Sequence, residues 1–170
     1  MKTATKDYII NTVYRTNILP VISQCNTSCV FCSHKQNPKE VEVYKLANLE
    51  LCDFEEIIQF LSPDRKIIIG ESATRIIEGE PLLHKNFIEI VELVRRKYPY
   101  TPIQITTNGI LLNEKLVTRF VELGGIDLNV SVNCIQNDKR KEILGLKEVD
   151  DIKEKLLLLN DRIRPYRHRV

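Results

Sequence analysis

An α/β fold with parallel strands is what this sequence predicts, and three observations carry the prediction. Short runs such as Lys66-Ile67-Ile68-Ile69-Gly70 are continuously apolar and β-branched, as strands buried on both faces are. These runs alternate with amphipathic helical stretches about four times, at intervals of roughly 30 to 45 residues. The unusual polar residues fall in the loops that follow strands, whereas the loops that follow helices read as plain turns. Such alternation implies right-handed crossovers between parallel strands, hence either a doubly wound sheet or part of a βα barrel. In both, the functional loops gather at the C-terminal ends of the strands.

Taken in order, residues 1–17 are mixed and specify no element. Ile18 to Ser23 reads as a first strand that delivers the chain to a cysteine-rich loop. A long polar loop follows, then a short helix opened by Asp53, with Glu56 three residues on, and ended by Ser62-Pro63-Asp64. Lys66 to Gly70 is the second strand and Glu71 to Pro81 a loop ending in Glu78-Gly79-Glu80-Pro81. Lys85 to Lys97 is a helix with basic residues at its C-terminal end, where they suit the helix dipole. Ile103 to Thr106 is the third strand, closed by Thr107-Asn108-Gly109. Asn113 caps a helix that stops at Gly124-Gly125, and Asp127 to Asn133 alternates as a fourth strand. Val149 to Leu159 reads as a last amphipathic helix, and residues 162–170 as the start of a fifth strand.

Composition narrows the class. A chain of 170 residues can bury about 70% of its unfolded surface in one core. Its 43% hydrophobic and 28% charged content is that of a soluble globular protein. The net charge of +2, from 25 basic and 23 acidic residues, argues neither for nucleic acid nor for a membrane surface. No signal peptide follows Met1, and no apolar run approaches the ~20 residues of a membrane span. Five cysteines is an odd count, and three of them are packed too tightly for a disulfide framework. A reducing, cytoplasmic setting is the expectation.

Those three are Cys25, Cys29 and Cys32, at CxxxCxxC spacing within Cys25-Asn26-Thr27-Ser28-Cys29-Val30-Phe31-Cys32. Soft thiolates on one short loop favour iron–sulfur clusters, zinc or Cu(I). Structural zinc is usually closed by four ligands, whereas a cubane cluster on three cysteines leaves one iron open. His34 or Cys52 could supply a fourth ligand, which keeps a structural or electron-transfer iron–sulfur or zinc protein as the alternative. Cys52 and Cys134 otherwise read as packing thiols.

With CxxxCxxC after the first strand, an aromatic residue before the last cysteine, Gly-Glu-Pro after the second strand and Thr-Thr-Asn-Gly after the third, the chain resembles the radical S-adenosylmethionine (SAM) superfamily. The resemblance runs from about Leu19 to Leu159. It implies a partial (β/α) TIM-type barrel with outer helices, of which about four of the usual six βα units are present, so that residues 1–170 are one core domain incomplete at its C-terminus. It implies a [4Fe-4S] cluster on Cys25, Cys29 and Cys32, and SAM chelating the fourth iron. Phe31 would flank the adenine, and Gly79, Glu80 and Pro81 would meet the SAM amino group. Thr107 and Asn108 would line the site, Ser131 and Asn133 would contact ribose or carboxylate, and Arg140 would pair with the carboxylate. The implied reaction is hydrogen abstraction by a 5′-deoxyadenosyl radical from an unnamed substrate, in peptide modification or cofactor maturation. An external one-electron donor of flavodoxin or ferredoxin type is implied too; the missing strands leave open a fragment, one half of a split pair completed by a partner chain, or a non-catalytic remnant. Two departures stand out: Glu78 occupies the place of a usual glycine, and residues 71–77 lengthen the loop before it.

Overall fold

A computed structural model describes residues 2–38, 40–72, 74–148 and 150–163. Its central sheet has three parallel strands, β3 (Ile67–Ile69), β4 (Ile103–Thr107) and β5 (Ile126–Val130), in that order. Ile67 lies opposite Ile103, and Ile103 opposite Ile126. A separate parallel pair joins β1 (Lys2–Thr3) to β2 (Tyr44–Lys45).

Helices cover one face of the central sheet. They are α1 (Lys6–Thr16), α3 (Leu51–Ile57), α4 (Phe87–Lys97), α5 (Glu114–Leu123) and α7 (Ile152–Ile163), with neighbours packed in that sequence. Two short helices, α2 (Ser33–Gln36) and α6 (Asn137–Leu144), belong to the rim. The core forms where Ile67, Ile69, Ile103 and Ile105, all fully buried, meet Phe54, Ile57, Ile90, Val91 and Val94. Along β4 burial alternates, so Gln104 and Thr106 face away from the helices. Gln104 there receives Lys66 Nζ at 3.0 Å, and Asn129 of β5 reaches Thr106, making the helix-free face polar.

Several expectations need correction. The first expected strand, Ile18 to Ser23, joins the sheet through one parallel bridge, Ile18 to Ile68, and then departs toward the cysteines. The early residues, which specified no element, form α1, capped by Thr5 and stopped by Asn17 at φ 59°. Helix α3 begins at Leu51 rather than Asp53; Asp53 lies inside it and accepts from the Glu50 backbone N–H at 2.9 Å. Helix α4 begins two residues later than expected, after a 3-10 turn over Pro81–Leu83. β5 ends at Val130, so Ser131 and Asn133 lie beyond it. Helix α6 was not expected at all. The last helix starts at Ile152 and runs through residue 163, occupying the beginning of the supposed fifth strand; residues 164–170 lie outside the described residues.

Candidate active site

The cysteine loop is anchored on its N-terminal side by the Glu-Gly-Glu-Pro segment. Gly79 N–H donates to Ile22 O at 2.7 Å and Glu80 N–H to Gln24 O at 2.8 Å. A Cβ at position 79 would fall 1.8 Å from Gln24 O, so only glycine lets these backbones meet. The next residue after this pairing is Cys25.

Glu80 is 2% exposed and its carboxylate is engaged on both oxygens. Oε1 accepts from Thr107 Oγ1 at 2.6 Å and from Leu82 N–H at 3.3 Å; Oε2 accepts from Asn108 N–H at 2.8 Å. Burial raises its pKa, while the donors from Thr107, Asn108 and Leu82 pull the other way. Asn108 extends the chain of contacts, since its Nδ2 donates to Asn26 Oδ1 at 2.7 Å inside the cysteine loop. The cysteine loop and the loops that follow β3 and β4 are therefore tied together through Glu80 and Asn108. Thr107 is buried within this tie.

Within the loop, the Thr27 hydroxyl lies 3.1 Å from Cys25 Sγ and 3.2 Å from Cys29 Sγ. Cys32 occupies the N-cap position of α2 without a side-chain capping bond, and its N–H donates to Cys29 O at 3.2 Å. All five cysteines are free thiols. Phe31 is 53% exposed. His34, the second residue of α2, has Nε2 2.6 Å from Ser72 Oγ, and the same nitrogen accepts the Glu78 N–H at 3.2 Å. That engagement turns it to the Glu71–Glu78 loop rather than to the cysteines. Cys52 is exposed on α3 and Cys134 half-buried, so neither is the buried packing thiol expected.

On the far side of the rim, Ser131 and Asn133 are exposed, and Asn133 adopts φ 56°. Arg140 is a different matter. Its side chain is fully buried, with Nε donating to Asp150 Oδ2 at 3.1 Å. Nη1 donates to the carbonyls of Ser131 and Val132, and Nη2 to Asn108 O at 2.6 Å. The guanidinium expected at a SAM carboxylate is thus packed among these carbonyls and Asp150 and faces no open site.

Sequence reasoning passed over Asn26, Gln24 and Asp150, which hold this arrangement. Asn26 carried a signal in retrospect, as a polar residue beside the first cysteine; Asp150 carried none.

A family profile described as Radical SAM superfamily matches residues 19–168. The chain belongs to the radical SAM superfamily. Members of this superfamily use a [4Fe-4S] cluster and SAM, and need a reductant and a substrate. Among curated proteins it is similar to a GTP 3′,8-cyclase of Thermodesulfovibrio yellowstonii, 29% identical over 136 residues, covering 80% of this chain and 40% of that one. A GTP 3′,8-cyclase of Lactiplantibacillus plantarum is 33% identical over 125 residues, covering 74% and 35%. One from Clostridium perfringens is 27% identical over 134 residues, covering 79% and 39%. The chain thus spans about two fifths of the length of the curated relatives it matches.

The donor set fits an iron–sulfur group. Three free thiols stand on one backbone-anchored loop, two of them against the same hydroxyl. Among the described residues no three His, Cys, Asp or Glu side chains are gathered at the spacing of a single metal ion. No helix among the described residues is long and apolar enough to cross a membrane.

Proposed function

We propose that residues 1–170 form the cofactor-binding part of a radical SAM catalytic domain. Cys25, Cys29 and Cys32 would each ligate one iron of a [4Fe-4S] cluster. Phe31 would stack on the adenine, Gly79 to Pro81 with Thr107 and Asn108 would form the wall facing the open iron, and Ser131 and Asn133 would meet ribose or carboxylate. When bound, the cluster and SAM supply one-electron cleavage of a sulfonium, giving a 5′-deoxyadenosyl radical that abstracts hydrogen from a substrate.

The chain's own residues do the positioning. Glu80 holds Asn108, Asn108 holds Asn26, and Gly79 holds the strand entering Cys25. Glu80 also places a carboxylate charge behind the wall, where it favours an ammonium group. Arg140 is left out of the ligand set, because its burial and partners keep it from the pocket. The observation that carries the proposal is the tie at Glu80 and Asn108 between the cysteine loop and the loops that follow β3 and β4.

The sheet would be the first part of a partial βα barrel, with its remaining strands supplied by residues outside this stretch or by a partner chain. The relatives are named for a reaction on GTP, which favours a nucleotide-like small molecule over a peptide as substrate. An external flavodoxin- or ferredoxin-type donor would deliver the electron in a cytoplasmic setting.

The test is anaerobic reconstitution with iron and sulfide, followed by reductant and SAM. The expected result is 5′-deoxyadenosine that disappears when Cys29→Ala replaces the wild type. A protein with four irons per chain that neither shifts its electron paramagnetic resonance (EPR) signal on adding SAM nor forms 5′-deoxyadenosine would overturn the reading.

A further inference from the structure

Helix α6 links two sides of the rim. At its C-terminal end the carbonyls of Ile143 and Leu144, which a helix leaves without internal partners, accept from Val30 N–H at 3.0 Å and Ser28 N–H at 2.8 Å. These amides flank Cys29. Gly145, at φ 62°, closes the helix against the same loop: a Cβ there would lie 2.8 Å from Ser28 O and 2.9 Å from Ser28 Cβ. One turn before Leu144, the buried Arg140 guanidinium fixes the helix to Asp150, to the end of β5 and to Asn108 O. Lys155 Nζ in turn holds the other oxygen of Asp150 at 2.6 Å.

We propose that Arg140 is a positioning residue for Cys29, acting through α6: its fork fixes the helix, and the last carbonyls of the helix fix the loop on both sides of the thiol. The physical case is that, apart from its end bonds to the cysteine loop, α6 buries little besides this arginine. Its only buried side chains are Arg140 and Leu144. A helix with so small an apolar face relies on its polar anchor for its place. Lysine keeps the charge but not the planar fork that reaches Asp150 and three carbonyls together. The significance of Cys29 rests on the ligand assignment proposed above; the positioning itself does not.

The experiment uses the reduced, metal-free 170-residue chain and reads the alkylation rate of each cysteine by peptide mass spectrometry. Exposed Cys52 on α3 serves as internal reference. In Arg140→Lys and Asp150→Asn, the Cys29 rate relative to Cys52 is expected to rise about 5-fold, a change of the size that such coupling carries. Gly145→Ala, which leaves Arg140 in place and displaces the loop directly, is expected to move the same ratio. If Arg140→Lys does not fold, Asp150→Asn and Gly145→Ala decide. An unchanged ratio would overturn the proposal, as would a rise accompanied by faster deuterium exchange of the β4 amides, the mark of general loosening. If the ratio moves but the reconstituted wild type forms no 5′-deoxyadenosine, the enzymatic reading fails and the positioning stands. If 5′-deoxyadenosine forms and the ratio does not move, the reverse holds.

Discussion

Glu78 is the residue whose chemistry is most at odds with its surroundings. It stands where the superfamily's motif usually carries glycine, it is buried, and its Oε1 has no hydrogen-bond partner. Burial pushes its pKa well above the ordinary 4.5, with the Val21 backbone contact only partly opposing. A raised folded-state value means the protonated form is favoured in the fold. Its stabilising effect is complete below the unfolded pKa and is lost as pH rises through the folded one. Glu80, raised for the same first reason, adds a slope of the same sign, whereas His34, lowered by burial, adds the opposite. Glu78→Gln should therefore flatten, without abolishing, the fall in stability as pH rises above the ordinary glutamate range, with a gain at the upper end of order 1 kcal/mol or about 3 °C. Thermal unfolding across that range checks it, and a slope equal to the wild type's would refute it. The identity of Glu78 was plain in the sequence. Its burial was not, because a glutamate in a loop is usually solvated.

At the scale of elements, the close pairing of residues 22–24 with residues 79–80 determines where the cysteine loop starts. Gly79→Ala brings a methyl group onto the Gln24 carbonyl, and backbone on both sides leaves no side chain to yield. The expected cost is about 3 kcal/mol, typical of overpacking, together with a loss of iron bound on reconstitution. Urea unfolding and iron analysis measure the two effects, and an alanine variant matching wild type in both would contradict the close approach. Helices α4 and α5 were legible because each pairs an apolar stripe with clear termini: Asn113 caps α5 and Gly124 ends it, as expected. Helix α6 was illegible for the converse reason. Residues 137–144 are nearly all polar, and what holds them is a buried arginine reaching residues distant in sequence. Arg95 does similar work at the opposite end of the sheet, donating to the carbonyls of Tyr98, Thr101 and Gly124. It too looked like an ordinary basic residue at a helix end.

In the whole molecule, among the described residues, β4 is the strand of the central sheet paired on both sides, with β5 along its length and with β3 over residues 103–105, whereas β3 gains just the Ile18 bridge on its other side and β5 pairs with β4 alone. The amides of β4 should exchange with deuterium more slowly than those of β5, by a factor of about 10 or more. Mass-spectrometric or NMR exchange on the 170-residue chain tests this, and equal protection would mean that the β5 edge is covered. The polar face opposite the helices follows the same logic. Glu71 accepts from Gln104 and from Thr106 there, Thr106 at 3.2 Å, and Lys66 lies 3.7 Å from Asp127. A face so lined is not the apolar surface that a second layer of helices would cover.

The sequence by itself determined the alternation of parallel strands and helices, the loops that carry chemistry and the three cysteines among them. Those features are local: a β-branched run, an apolar stripe, a cap, or thiols a few residues apart each act through neighbours in the chain. The superfamily could be recognised because its motifs are likewise local and sit at strand ends. Only the tertiary structure decided which polar residues stay exposed on the rim and which are buried among protein partners. Arg140 and Glu80 both read as ligand contacts, yet one is closed off by Asp150 and three carbonyls and the other engaged by Thr107, Leu82 and Asn108. Burial and hydrogen-bond satisfaction depend on atoms brought together from distant positions, and no local pattern encodes that choice.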